Sequence, residues 1–193
     1  MLRRLFEVKI SHNKGSYPTA GQARCGTTNC YVDARTGALG GKRMNIGLIA
    51  CSKTKLGKDM PGKKFKAQDI YQGNTFKKSK SEGIKLYNCD DWFILSGNKD
   101  YNLLDKNEEI QYYDVYLGKQ NKTYKNEWGE KVKSKLIQKG FDLENDAFYI
   151  FGGASYYKPL LSFLKNCVVF KFKSSNTIQL DSPIYYENGK KLK

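Results

Sequence analysis

The segment 51–55 has the residue types that binding an anionic ligand requires. It reads Cys-Ser-Lys-Thr-Lys and follows the apolar run 46–50 directly. Small side chains let a ligand come close, and thiol, hydroxyl and ammonium groups donate hydrogen bonds to it. We therefore predict that this segment binds the substrate through Cys51, Ser52, Lys53 and Lys55.

Two further segments of the same kind follow other apolar runs. Residues 96–99 read Ser-Gly-Asn-Lys after the run 92–95, and residues 152–155 read Gly-Gly-Ala-Ser after the run 147–151. Ligands of α/β sheets bind outside the carboxyl ends of the parallel strands, so we expect these three strand ends to form one site. The additional predicted substrate-binding residues are Ser96, Lys99, Ser155 and Tyr156. If the ligand is a nucleotide, Asn98 is predicted to donate a hydrogen bond to the base as it leaves the sugar.

Acid–base chemistry in this chain must rely mainly on carboxylates, because His12 is the only histidine. Asp69 lies at the start of a predicted helix, and Asp114 follows two tyrosines. Either carboxylate could position a water for attack on a sugar C1′, although an N-cap and a turn are equally consistent with these positions. Five tyrosines are predicted to stack on an extruded base: Tyr71, Tyr112, Tyr113, Tyr156 and Tyr157.

The charge of the chain favours a polyanionic partner. There are 34 basic residues against 19 acidic ones, which gives a net charge of +15. Nucleic acid is the expected partner, DNA or else tRNA, and an anionic membrane surface is the alternative. No apolar run is long enough to span a bilayer, so we expect no membrane insertion. The predicted contacts to the nucleic-acid backbone are Lys58, Lys63, Lys64 and Lys66.

Several kinds of site are excluded by the motifs that the sequence lacks. It contains neither a nucleotide-triphosphate loop nor the glycine fingerprint of dinucleotide-binding sheets. Cys25 and Cys30 have only His12 nearby, which falls short of a structural zinc site. We expect no metal and no organic cofactor. The five cysteines, without an export signal, indicate reduced thiols in a cytoplasm. We also expect a monomer.

The composition changes near residue 43. Residues 1–43 are rich in Gly, Thr, Ala and Asn without sustained periodicity, which predicts a flexible basic N-terminal arm or extension. Residues 44–193 alternate apolar runs with helical patterns and are predicted to form a single α/β catalytic domain.

The predicted architecture of that domain is a three-layer α/β/α fold with a short four-stranded, mainly parallel sheet. Residues 53–66 and 97–115 are predicted to be long loops. A stripe at every fourth residue, Tyr124, Trp128, Val132 and Leu136, predicts that one helix faces the core. The predicted strands are 45–50, 91–96, 147–151 and 167–172, and the predicted helices are about 67–81, 123–139 and 155–164.

Five motifs, in order along residues 44–165, resemble a known superfamily. The segment 46–55 is similar to the Cys-Ser-x-x-Lys segment of small bacterial and phage proteins, which itself resembles part of the archaeosine synthase core. The other motifs are Ala67-x-Asp69-Ile70-Tyr71-x-Gly73, Trp92-Phe93-Ile94-Leu95-Ser96, Tyr113-Asp114 and Gly153-x-x-Tyr156-Tyr157-x-Pro159-Leu160. Together they resemble the uracil-DNA-glycosylase-like superfamily.

The resemblance implies a short four-stranded parallel sheet between helices and chemistry at nucleobases of DNA or tRNA. It also implies that Cys51, Ser52, Lys53 and Lys55 line the pocket, with Asp69 and Tyr71 beside it. The segment 95–104 departs from the family pattern, and the water-activating and leaving-group histidine motifs of uracil excision are absent. Uracil is therefore a poor substrate, and a modified base is favoured.

The sequence predicts a DNA glycosylase that flips out a modified base, such as a hypermodified phage base, and excises it hydrolytically. The product would be an abasic site, and the role would be phage defence. In a variant of this hypothesis the protein is a lyase, and the amine of Lys53 or Lys55 forms a Schiff base with C1′ of the sugar. The alternatives are a tRNA transferase that modifies a deazaguanine-type base, and a non-catalytic nucleic-acid-binding protein.

Overall fold

The computed structural model describes Cys30–Val32, Leu39–Gly41, residues 43–170 and residues 183–192. It contains two compact units, Met1–Lys42 and Arg43–Lys193. In the first unit, strands β1 (Cys30–Val32) and β2 (Leu39–Gly41) pair in antiparallel fashion. Most of the predicted arm, including His12 and Cys25, lies outside the described residues.

The second unit is an α/β domain around a seven-stranded mixed sheet. Its strands are β3 (Asn45–Ala50), β5 (Asp91–Leu95), β6 (Leu103–Leu104), β8 (Ala147–Phe151), β9 (Asn166–Phe170), β10 (Ile184–Glu187) and β11 (Lys190–Lys191). They lie in the order β11-β10-β9-β8-β3-β5-β6. The strands β5, β3, β8 and β9 are parallel, and the other three add to the two edges in antiparallel fashion.

The four parallel strands are those predicted from the apolar runs. Leu48 in β3 lies beside Phe93 of β5 and Ile150 of β8, and all three side chains are buried. Strands that are buried on both faces need such continuous apolar runs. The predicted total of four strands is wrong, because the sheet has seven. The strand β6 has only two residues and β10 has a mixed sequence, so neither shows a period that would predict a strand.

One face of the sheet is covered by the long helix α4 (Lys122–Gln138). Its predicted stripe is confirmed, since Trp128, Val132 and Leu136 are fully buried. They pack in one apolar cluster with the side chains of β3, β5, β8 and β9 that point to this face. The helix begins where the Asn121 side chain accepts a hydrogen bond from the Tyr124 amide at 2.8 Å.

The opposite face is covered by three short helices and not by the single predicted one. They are α1 (Ala67–Ile70), α2 (Asn74–Lys78) and α3 (Ile84–Leu86), the last two joined by a π-helical turn at Ser79–Gly83. The chain leaves the helix at Tyr71, which forms an isolated antiparallel bridge with Lys55. The Gln72 amide then donates to the Thr54 carbonyl at 2.9 Å, so pairing with a distant segment overrides local helical preference.

The predicted helix 155–164 is also shorter than expected. The structure has α5 (Ala154–Tyr157) followed by a 3₁₀ turn at Lys158–Leu160. Pro159 has no amide hydrogen, so it cannot make the bond back to residue 155 that an α-helix would need.

Both predicted loops contain secondary structure. The strand β4 (Lys64–Lys66) ends the first loop and pairs with β7 (Glu109–Gln111) in the second, with Phe65 opposite Ile110. A 3₁₀ turn at Leu117–Lys119 precedes α4. Of the helices that the structure describes, none is both long and apolar enough to cross a membrane.

Candidate functional site

The carboxyl end of β3 brings a half-buried thiol next to a phenol. The Cys51 amide donates to the Leu95 carbonyl at 2.8 Å, which fixes the end of β3 against β5. The Cys51 Sγ lies 3.2 Å from the Tyr156 Oη, in α5. Gly152, directly after β8, lets the ends of β3 and β8 lie close together, because a Cβ there would lie 2.7 Å from the Cβ of Ala50. Two of the predicted strand ends therefore meet at Cys51.

A chain of three buried hydroxyl groups lies at the end of β5. The Tyr113 Oη is 2.5 Å from the Ser96 Oγ and 2.6 Å from the Tyr71 Oη. The Ser96 Oγ also accepts a hydrogen bond from the Asn98 amide at 3.1 Å. Residues that were predicted separately, from three different segments, are thus joined by direct hydrogen bonds.

Lys55 lies against this hydroxyl chain. Its Nζ is 4.6 Å from the centroid of the Tyr113 ring, a cation–π geometry. Burial lowers the pKa of Lys55, because a charged ammonium loses hydration, while Cys51 and Asp114 act in the opposite direction. Lys55 is therefore a partly desolvated cation inside the polar cluster.

The three tyrosines of the cluster remain protonated at neutral pH. Burial raises the pKa of Tyr71, Tyr113 and Tyr156, and the electrostatic interaction of each with Cys51 raises it further. Their rings pack inside the protein, for example Tyr156 edge-on against Trp128 at 5.9 Å between centroids. All three side chains are buried in the fold.

Ser52 holds the loop in place. Its Oγ donates to the Thr54 carbonyl at 2.7 Å and accepts from the Gly73 amide at 3.0 Å. A Cβ on Gly73 would lie 2.5 Å from the Cβ of Ser52, so a side chain has no room there. The importance of Gly73 was not predicted, because its contact with Ser52 is visible only in the folded chain.

Side chains of helix α4 hydrogen-bond to the backbone at the end of β5, a role that the sequence did not indicate. The Trp128 Nε1 donates to the Ser96 carbonyl at 2.6 Å. The Tyr124 Oη donates to the Gly97 carbonyl at 3.1 Å and accepts from the Lys99 amide at 3.2 Å. Periodicity predicts that these aromatic residues face the core, but it carries no signal for their polar atoms.

Three predicted site residues make their main contacts outside the cluster. The Lys99 ammonium pairs with Glu127 and lies 4.4 Å from the centroid of the Tyr124 ring. The Asn98 Oδ1 accepts from the Asp100 amide at 2.9 Å, as in an Asx turn. Ser155 lies in α5, half-buried and next to Tyr156.

The two candidate carboxylates have different surroundings. Asp69 is 56% exposed in its side chain and lies 3.6 Å from the Lys80 ammonium. Asp114 is exposed, directly follows Tyr113, and favours the charged form of Lys55. Asp114 is therefore the carboxylate that interacts with the cluster.

The segment 53–66 concentrates positive charges that have no acidic partner. Six lysines elsewhere lie within ion-pairing distance of an acid. Among the described residues, no acidic partner is found for the exposed lysines of this segment, which are Lys53, Lys58, Lys63, Lys64 and Lys66. Their charges are available to a partner, and their contacts to a nucleic-acid backbone stay a prediction.

The described residues contain no group of three or more His, Cys, Asp and Glu side chains that could hold a metal ion. The site is a cluster of a thiol, four hydroxyls and an ammonium at the carboxyl edge of a parallel sheet.

The architecture defines an α/β protein whose polar cluster lies where such sheets bind ligands. Residues 46–173 match DUF6884, described as a family of unknown function, and the chain belongs to this family. The match includes every residue of the cluster. No curated protein and no solved structure matches the chain.

Proposed function

We propose that the protein is a DNA glycosylase that flips out a modified base and excises it hydrolytically, leaving an abasic site. The observation that carries the proposal is that segment 53–66 supplies both Lys55 of the cluster and a group of exposed lysines without an acidic partner among the described residues. Phosphate contacts to these lysines would offset the cost of unstacking, which is a few kcal/mol. A role in phage defence would follow if the base is a phage modification.

The proposed reaction needs only the residues present. The Asp114 carboxylate takes a proton from a water whose oxygen forms a bond to C1′ of the sugar. The bond from C1′ to the base nitrogen breaks, and the base leaves with the electron pair and gains a proton from solvent. A carboxylate near C1′ also stabilises the positive charge that develops there. Lys55 and the side-chain amide of Asn98 donate to the departing base.

We also propose that the domain has a uracil-DNA-glycosylase-like fold. It is supported by the four neighbouring parallel strands β5, β3, β8 and β9, with helices packed on both faces. The resemblance of the motifs in residues 44–165 supports it independently. We also propose that the protein acts as a monomer in the cytoplasm.

The direct test is a panel of DNAs: unmodified, uracil-containing, hydroxymethylcytosine-containing and glucosylated. Each is incubated with the purified protein, treated with hot alkali and analysed on a denaturing gel. Strand breaks confined to one modified DNA would support base excision and identify the substrate. If no DNA breaks but binding is tight and weakens steeply with salt, the protein is a binder. Incorporation of a labelled base into tRNA would instead identify a transferase.

A further inference from the structure

Lys55 differs from the other lysines of segment 53–66 in its surroundings. It is half-buried, whereas the other lysines of the segment are exposed. Its Nζ lies over the ring of Tyr113, 4.6 Å from the centroid. Among the described residues, no carboxylate is within ion-pairing distance of this Nζ. Lys55 is thus the amine of this segment that the fold places at the site.

The backbone is fixed on both sides of Lys55. Lys55 itself forms the isolated bridge with Tyr71, and the Leu56 amide donates to the Ile70 carbonyl at 2.8 Å. On the other side, the carbonyl of the preceding residue accepts from the Gln72 amide at 2.9 Å. A side chain on a backbone held in this way has few positions open to its amine, which favours reaction with a bound group.

The surroundings of Lys55 also favour the neutral form of its amine. Burial lowers the pKa of Lys55, because the charged form loses hydration, although Cys51 and Asp114 oppose this effect. A lysine with a lowered pKa is neutral more often at neutral pH than an exposed lysine is, and only the neutral amine attacks a carbonyl carbon. Enzymes that form Schiff bases activate their lysines by desolvation of this kind.

The product of the proposed excision supplies a matching electrophile. An abasic site is in equilibrium with an open form that has an aldehyde at C1′. We propose that Lys55 forms a Schiff base with this aldehyde and gives the protein a second activity, cleavage of DNA at abasic sites. The inference rests on the proposed function only for the source of its substrate. It also chooses Lys55 over the exposed Lys53, which the sequence leaves as an equal candidate.

The proposed reaction needs no oxidant and no reductant. The Lys55 Nζ forms a bond to C1′, and the aldehyde oxygen leaves as water with one proton from the amine and one from solvent. Asp114, the carboxylate that interacts with Lys55, takes a proton from C2′ of the resulting protonated imine. The electron pair of that C–H bond ends in a double bond between C2′ and C3′, and the 3′ phosphate leaves with the electrons of its C3′–O bond. Water then hydrolyses the imine and frees the lysine.

Preformed abasic DNA tests the inference without any base excision. A duplex with one abasic site is incubated with the full chain and sodium borohydride, and a duplex without the site is the control. Borohydride reduces an imine to a stable amine, so a Schiff base becomes a covalent protein–DNA complex. We expect this complex, with the reduced sugar on Lys55 by mass spectrometry of its peptides. Absence of the complex, or a sugar on Lys53 or another exposed lysine, would overturn the inference.

Variants provide a second measurement. Lys55→Arg keeps the positive charge but cannot form an imine, so the rate of trapping should fall by at least about a hundredfold. The matched control is Lys85→Arg, an exposed lysine on α3, which should keep the wild-type rate. Rates are compared at saturating DNA, so that weaker binding does not lower them. Equal rates in the two variants would contradict the assignment, and the peptide result on the wild-type protein does not depend on either variant folding.

The two proposals can fail separately. Trapping of abasic DNA on Lys55, without loss of a base from any DNA of the panel, would support the lyase and argue against the glycosylase. Loss of a modified base without an adduct on Lys55 would support the glycosylase and overturn the lyase. If both proposals hold, the modified DNA of the panel should break at its abasic sites before any alkali is added.

Discussion

The two edges of the parallel sheet use opposite chemistry. At the amino edge, carboxylates accept from backbone amides: Asp146 from Met44 at 2.9 Å and from Asp142 at 2.8 Å, and Asp90 from Asn45 at 2.8 Å. At the carboxyl edge, the polar side chains are hydroxyls, a thiol and an ammonium that contact one another. The amino edge is held by carboxylates that accept from backbone amides, whereas the carboxyl edge is built from side chains that can donate hydrogen bonds.

This difference separates stabilising residues from ligand-binding ones. A carboxylate that already accepts two amide hydrogens contributes to folding and has little left for a ligand. The hydroxyl, thiol and ammonium groups at the carboxyl edge lie where sheets of this kind bind ligands, so we expect them to affect binding more than stability. Substitutions at the two edges should therefore affect different properties.

The largest effect on stability is expected at the amino edge. Asp146→Ala removes the buried carboxylate that accepts from the part-buried amides of Met44 and Asp142, and should lower the free energy of unfolding by about 3 kcal/mol. Urea denaturation measures this loss. Asp146→Asn, which keeps one carbonyl oxygen, should lose less. DNA affinity should be unchanged in any variant that folds.

Gly73→Ala tests the packing that holds the site loop. The added Cβ would lie 2.5 Å from the Cβ of Ser52 and should cost about 2 kcal/mol, because overpacking forces the backbone to move. The control is Gly153→Ala, since a Cβ there would meet nothing within 4 Å. Thermal unfolding of the two variants should differ clearly. Equal melting temperatures would show that the loop adapts freely.

Tyr113→Phe removes the hydroxyl that joins Ser96 to Tyr71. Two hydrogen bonds are lost while the ring is kept, so we expect a loss of stability of about 1 kcal/mol, measured by urea denaturation. Tyr87→Phe is the control, because this half-buried ring stacks on Tyr149 outside the cluster. A larger loss in the control would contradict the role of the hydroxyl chain.

The smallest effect concerns pH. Hydrogen bonds from Asn145 and Glu144 lower the pKa of Asp142 below its ordinary value of 3.8. A lowered pKa in the folded state stabilises the protein above the unfolded pKa, and this contribution disappears as pH falls below it. Because Asp142 is exposed, the contribution should be below about 1 kcal/mol. Asp142→Asn should therefore lose a little stability at pH 7, and the loss should shrink as pH falls through the lowered pKa of Asp142, as measured by urea denaturation.

The sequence predicted the parallel core better than the rest of the fold. The four apolar runs become β3, β5, β8 and β9, and the four-residue stripe becomes α4, because burial dictates both patterns. The helix predicted from 67 to 81 fails at Tyr71, where pairing with Lys55 decides the backbone. Local periodicity contains no information on such long-range pairing.

The location of the candidate site could be predicted from the sequence, but the hydrogen bonds between its residues could not. Cys51, Ser96 and Tyr156 were placed at the carboxyl edge because strand ends converge there in α/β sheets. The bond between Tyr71 and Tyr113 joins residues 42 positions apart and has no signature in the sequence. The difference between Asp69 and Asp114 likewise emerges only from their neighbours in the fold.

The central claim is that base excision occurs at the carboxyl edge, and one matched pair of variants tests it most directly. Asp114→Asn alters a carboxylate at the carboxyl edge, and Asp142→Asn alters an exposed carboxylate next to the amino edge. Both variants are assayed on the modified DNA from which the wild-type protein excises the base, and DNA affinity is measured in parallel. We predict that Asp114→Asn loses excision by at least about a hundredfold and keeps DNA affinity, while Asp142→Asn retains both. Full excision by Asp114→Asn, or an equal loss in both variants, would contradict the account.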